Sequence, residues 1–122
     1  MNLVISIVIG AIGLANVAQA STTPTPNPYV DGPVIYAQRC AACHGEQGQG
    51  SGGVPQLSGN GAVTANNPDR LIALLKKGRG AMPAFDSQLS DVEIASVLTY
   101  IRTAWGNAGT SVAPYQVDAV HS

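Results

Sequence analysis

Residues 36–50 of the chain read YAQRCAACHGEQGQG and hold its only two cysteines, Cys40 and Cys43, with His44 directly after the second. Thiols and an imidazole at this spacing admit several chemistries. The pair can close a disulfide, structural or redox-active. A thioredoxin-like site would need alternating strands and helices, and no strand pattern is present. A structural zinc site asks for four ligands, whereas the chain offers Cys40, Cys43, His44 and the distant His121. An iron–sulfur cluster ordinarily asks for four thiolates.

The sequence C-x-x-C-H also has a more specific meaning, covalent attachment of a c-type haem. Two thiols add across the two vinyl groups of the porphyrin and hold one of its edges. The imidazole of the next residue can then turn beneath the iron as the proximal ligand, which assigns Cys40 and Cys43 to the thioethers and His44 to the metal. The opposite face of the iron needs its own answer. Beyond the first residue the only methionine is Met82, in GAMPAF, within a turn-like stretch and directly before Pro83. A lone methionine is ordinarily core filler. Its place in a loop beside a haem motif makes it the expected sixth ligand, and His121, second from the end of a polar tail, is read as solvated.

Other elements must position these residues. Leu3 to Ala15 is an apolar run, and it leads to Ala18, Gln19 and Ala20, the small-x-small form of a secretory cleavage site. Residues 1–20 are therefore expected to be a signal peptide cleaved after Ala20. The rival reading is an uncleaved anchor, for which the run is short. Export leads to an oxidising compartment. Residues 21–30 form a proline-rich linker, 31–106 the folded domain, and 107–122 a tail with a short helix over Pro114 to Val120. The six Lys and Arg and seven Asp and Glu leave a net charge of −1, and with few aromatic residues this argues against a nucleic-acid partner.

Within the domain three main helices are expected. The first starts at Asp31 or Gly32 with Pro33 in its opening turn and runs into Arg39 and Cys40. The second is capped by Asn67, has Pro68 first, ends at Gly78 and carries Leu71, Leu74 and Leu75 with Ile72 alongside. The third has Ser90 and Glu93 as a capping box, a stripe of Ile94, Val97, Leu98, Ile101 and Trp105, and Gly106 as its stop. Glycine-rich loops over 45–66 and 79–89 join them. With one Phe and one Trp this is a thin core, and it makes sense when the loops wrap a large apolar group.

CAACHG, VPQL, GAMPAF and the capped last helix together resemble a class I c-type cytochrome, monohaem and bacterial. GNGAVTANNPDRLIALLKKGRGAMPAF and LSDVEIASVLTYIRTAWGN are similar to the haem domains of periplasmic alcohol- and sugar-dehydrogenase cytochrome subunits. The resemblance covers roughly residues 31–120. It implies an all-α small cytochrome c fold around one covalently bound haem c with its iron. It also implies that Pro55 offers its carbonyl to the proximal histidine and that Leu57 packs on the haem. Gly32 and Tyr36 would lie where the first helix crosses the last, near Leu98 and Ile101. Arg70 and Arg79 are candidate partners of the haem propionates, and no motif selects between them.

With both axial positions filled by His44 and Met82, the resemblance implies a periplasmic one-electron carrier cycling between Fe(III) and Fe(II), not an enzyme. Its partners would be redox proteins: a dehydrogenase or cytochrome bc1-type complex on one side, a terminal oxidase or reductase on the other. It would be a monomer of a Gram-negative bacterium, meeting the membrane only through partners or an uncleaved leader. A dedicated subunit of a membrane-associated dehydrogenase or oxidase is the alternative. A haem enzyme or gas sensor with a displaceable Met82 is a weaker one, as no distal histidine is seen. Lys76, Lys77 and Arg79 form a cationic run before Met82, readable as a solvated face or as a docking patch for acidic partners.

Overall fold

The computed structural model describes residues 31–121 together with Gly10 and Gly13. Apart from Gly10 and Gly13 the expected signal peptide lies outside the described residues, as does the whole of the linker. Five helices follow in order: α1 (Asp31–Arg39), α2 (Ala41–His44), α3 (Asp69–Lys77), α4 (Asp91–Thr103) and α5 (Pro114–Ala119). No strand forms among the described residues. The architecture is all-α, as expected, with α4 at its centre, crossed by α1 and packed on its other sides by α3 and α5.

Local signals explain most boundaries. Ser90 accepts from the backbone N–H of Glu93, and the Glu93 carboxylate returns the contact to the N–H of Ser90, so both ends of the capping box close. α3 starts at Asp69 with Pro68 at its cap position, one residue later than expected, and the side chain of Asn67 just before it accepts from the N–H of Asp69. α4 is buried nearly all round: Ile94, Ala95, Val97 and Leu98 have no exposed surface, as suits a helix surrounded by its neighbours. Gly32 permits the close crossing of α1, because a Cβ there would stand 2.5 Å from the Ser96 carbonyl oxygen and 2.9 Å from the Tyr100 Cβ. The contact thus falls on Ser96 and Tyr100, one helical face away from the expected Leu98 and Ile101.

α4 is shorter than its apolar stripe. It ends at Thr103, and Trp105 lies past it with φ 54°, a conformation bulky residues rarely adopt. The indole is held there by rings: its centroid is 5.0 Å from that of Tyr36 and 5.6 Å from that of Tyr100. Its apolar surface therefore joins the core by leaving the helix, which the 3.6-residue period could not foretell.

Two cations are buried. Lys76 is 7% exposed, and its ammonium donates to the Val120 carbonyl at 2.7 Å, tying the tail to the end of α3. It is thus removed from the expected cationic face, leaving Lys77 and Arg79 exposed there. Arg102 has no exposed surface, and its hydrogen-bond partners are carbonyls and a hydroxyl. Its Nη1 donates to the carbonyls of Val63 (2.8 Å) and Ala65 (2.9 Å), its Nε to the Thr110 carbonyl (2.9 Å) and its Nη2 to the Thr110 hydroxyl (3.2 Å). Burial lowers its pKa from the ordinary arginine value.

Replacing Arg102 by Met keeps the bulk and strands three carbonyls in the interior. Each stranded acceptor costs about 1 to 3 kcal/mol, so a loss of roughly 3 kcal/mol or more is expected in a denaturant melt. A midpoint equal to the wild type would show that the carbonyls find other partners.

Candidate functional site

The turn from α1 into α2 brings the C-x-x-C-H residues together. The N–H groups of Cys43 and His44 both donate to the Cys40 carbonyl, at 3.2 and 2.9 Å. That helical turn places positions 40, 43 and 44 on one face, at i, i+3 and i+4. Cys40 is half-buried and Cys43 exposed, and the two are not joined as a disulfide. Burial pushes the Cys40 thiol up to about 11.

His44 is oriented by a loop. Its Nδ1 lies 2.9 Å from the Pro55 carbonyl oxygen. A carbonyl can only accept, so Nδ1 carries the proton and Nε2 offers its lone pair, the tautomer a metal-binding imidazole needs. The loop is itself fixed. The N–H groups of Leu57 and Ser58 both donate to Gly48, at 2.8 and 3.1 Å. Asn107 reaches back from beyond α4, its amide donating to the carbonyls of Leu57 (3.1 Å) and Ile101 (2.8 Å) and accepting from the N–H of Gly59 (2.8 Å). Sequence reasoning missed Asn107, and an isolated asparagine after a helix gives no signal of such reach.

Met82 sits across from these groups in a tight turn. Its N–H donates to the Arg79 carbonyl at 2.9 Å, and its carbonyl accepts from the N–H of Arg79 at 3.0 Å. The turn is seated on the end of α3: Phe85 donates to the Leu75 carbonyl at 3.0 Å. Gly78 adopts φ +71°, and a Cβ there would lie 2.5 Å from the Met82 carbonyl oxygen.

These pieces surround one cavity of about 700 Å3. Cys40, Cys43, His44, Pro55, Leu57 and Met82 all line it, so every expected site residue faces the same space. The rest of the wall is largely aliphatic, including Leu71, Leu74 and Leu75 of α3, of which Leu75 also belongs to the core with Ile72. Apolar walls, two thiols on one side, a nitrogen lone pair and a thioether are a donor set that fits a haem. The volume lies within the range of cofactor sites. None of the seven acidic residues lines the cavity, whereas Arg39 and Arg79 do. His121 is exposed and does not border it.

Helices and loops closed around a cavity with this set of donors are the features of a c-type cytochrome. Comparison with known proteins agrees. The chain belongs to the family described as cytochrome C oxidase, cbb3-type, subunit III, whose model matches residues 27–101. Its cofactor is accordingly haem c with its iron, covalently bound. Cytochrome c-552 of Thermus thermophilus is 44% identical over 94 residues, covering 64% of this chain and 70% of that protein. The cytochrome c subunit of the quinone-dependent alcohol dehydrogenase of Gluconacetobacter polyoxogenes is 36% identical over 90 residues, 64% of this chain. The chain spans only 19% of that subunit's length. Among solved structures, cytochrome c6C from Synechococcus sp. PCC 7002 superposes with a TM-score of 0.50 at 28% identity, covering 63% of this chain and 98% of that one. No helix among the described residues is long and apolar enough to cross a membrane.

The Tyr36 hydroxyl also braces the motif, donating to the Gly45 carbonyl at 2.6 Å. Burial pushes it up to about 12 from an ordinary value of 10.0. The unfolded chain therefore gives up this proton first, and stability present below pH 10 falls as pH rises toward about 12. In the haem-loaded protein, Tyr36→Phe is expected to cost about 1 kcal/mol at neutral pH through the lost hydrogen bond. It should also flatten the decline between pH 10 and 12 in denaturant midpoints. An equally steep decline in the variant would place its origin elsewhere.

Proposed function

We propose that this chain is a one-electron carrier in which Cys40 and Cys43 hold the haem through thioethers and His44 and Met82 are the axial ligands of its iron. The observation that carries the reading is the convergence of all four on one apolar cavity, with the His44 ring fixed by the Pro55 carbonyl. When bound, the haem supplies the Fe(III)/Fe(II) couple. The protein's own residues do the rest. Pro55 keeps Nδ1 protonated and holds the ring in one orientation, which also raises its basicity as a ligand. The Arg79–Met82 turn presents the thioether sulfur, which favours ferrous iron and raises the potential. Leu57, Leu71 and Leu74 line the cavity and would keep water from a haem held there. With both axial positions taken by side chains, no site is left on the iron for a substrate, which supports a carrier over an enzyme.

The domain would be residues 31–106, with 107–122 packed on it, and residues 1–20 a leader that delivers it to the periplasm. Its partners there would be redox proteins, a dehydrogenase or respiratory complex as donor and an oxidase or reductase as acceptor. A second reading, a cytochrome subunit of one such complex, is supported by the alcohol dehydrogenase subunit among its relatives. A subunit would co-purify with its complex after membrane extraction, whereas a free carrier would leave in the soluble periplasmic fraction.

Visible spectra of the purified oxidised and reduced protein test the ligand set. The wild type is expected to show a c-type reduced spectrum and the weak methionine-to-ferric-iron band. Met82→Ala should lose that band, lower the potential and bind carbon monoxide rapidly when reduced. A wild type that lacks the band, or binds carbon monoxide as fast as the variant, would sink the assignment.

A further inference from the structure

The loop that carries Met82 is attached to the end of α3. A helix leaves its last carbonyls without partners of its own. Here the N–H of Phe85 donates to the Leu75 carbonyl at 3.0 Å, and the N–H of Asp86 to the Lys76 carbonyl at 3.4 Å. Phe85 and Leu89 add buried apolar surface on either side of these bonds. The Met82 turn therefore goes where the last turn of α3 goes.

That last turn is gripped in its own right by the tail. The buried ammonium of Lys76 donates to the carbonyl of Val120, which caps the far end of α5. The tail is fastened to α4 before it gets there. The Thr99 hydroxyl accepts from the N–H of Val112 at 2.9 Å and donates to its carbonyl at 3.2 Å. The Gln116 side chain accepts from the N–H of Ala113 at 2.8 Å and closes the start of α5, and Val117 is wholly buried. A continuous route thus runs from α4 through α5 and Lys76 to the Met82 turn. The tail lies past residue 101, where the family match ends, so this route is not part of the matched segment.

Packing alone does not call for a lysine at this place. Its stem is flexible and its charge strongly hydrated, so burial is costly unless the ammonium is bonded. An aliphatic side chain would fill the space without that cost. What the ammonium adds is a directed bond to one carbonyl, 44 residues away.

We propose that Lys76 is a positioning residue for Met82, and that the tail over residues 112–120 is the strut through which it acts. The inference rests on the reading of Met82 as the sixth ligand. Held by the Val120 carbonyl, the end of α3 keeps the thioether in its place and lowers the share of molecules in which the sulfur has left it.

Imidazole titration of the oxidised, haem-loaded, full-length protein reads that share. The probe binds only where Met82 has given way, so its apparent affinity scales with the competent fraction. Lys76→Met keeps the bulk of the stem and removes the donor. It is expected to bind imidazole about tenfold more tightly than the wild type, the effect of one lost hydrogen bond to a charged group. It should also lose the methionine-to-iron band at a lower temperature. Val117→Ala leaves Lys76 in place and loosens the tail, and it should move both readings the same way; it decides alone if Lys76→Met does not fold. Ile94→Val, a similar truncation in the core on α4, should bind imidazole as the wild type does. Wild-type affinity in both test variants would overturn the proposal, and so would an equal gain in Ile94→Val, the mark of general loosening. A gain in Lys76→Met alone would take the tail out of the route and overturn it as well. A wild type without the methionine band would instead overturn the ligand assignment beneath it.

Discussion

The guanidinium of Arg102 is the interaction on which the rest of the structure depends. A cation without exposed surface is costly unless its donors are all met. Here each of its three nitrogens finds a partner, in carbonyls and a hydroxyl from two segments with no regular structure of their own, residues 63–65 and Thr110. One side chain on the central helix thus fixes both the end of the long loop and the start of the tail. Thr99 adds to this from one turn earlier, its hydroxyl bonded to both the N–H (2.9 Å) and the carbonyl (3.2 Å) of Val112. Glycine-rich loops that would otherwise carry large conformational entropy are anchored on a helix whose own cap is closed at both ends.

That anchoring lets a thin core support a site. α3 serves both at once: Leu71, Leu74 and Leu75 line the cavity, and Leu75 with Ile72 also closes the core. The same helix ends in the glycine that seats the Met82 turn, and α1 and α2 end in the cysteine–histidine pair. Each ligand-bearing segment therefore hangs from a helix terminus, and each terminus is packed directly or through α1 on α4.

Features governed by neighbours in sequence were legible from the sequence. Asn67, Ser90 and Glu93 act through hydrogen bonds spanning two or three residues, and the C-x-x-C-H spacing is itself a local geometry. Features settled by distant partners were not. Lys76 looks like a surface cation until its ammonium meets Val120, 44 residues away. Trp105 continues a helical period, yet Tyr36 and Tyr100 draw it into a left-handed conformation beyond the helix. Arg102 carries no sequence mark separating it from a solvated arginine, because the carbonyls that receive it belong to loops without a pattern. The carbonyl of Pro55 was reached through family resemblance, not through residue chemistry.

The burial of Lys76 and Arg102 also changes how the molecule looks from a distance. Of six cations four stay at the surface. Arg39 and Arg79 among them border the main cavity, and Arg70 with Arg79 a smaller one beside it, while the seven carboxylates border neither. The charged side chains that the polypeptide sets around its cavities are thereby all positive, although its net charge is −1. Within a Debye length of about 10 Å at moderate salt, such a charge moment exerts torque before any contact forms. An acidic surface would turn the protein to arrive mouth first, and a basic one would turn it away.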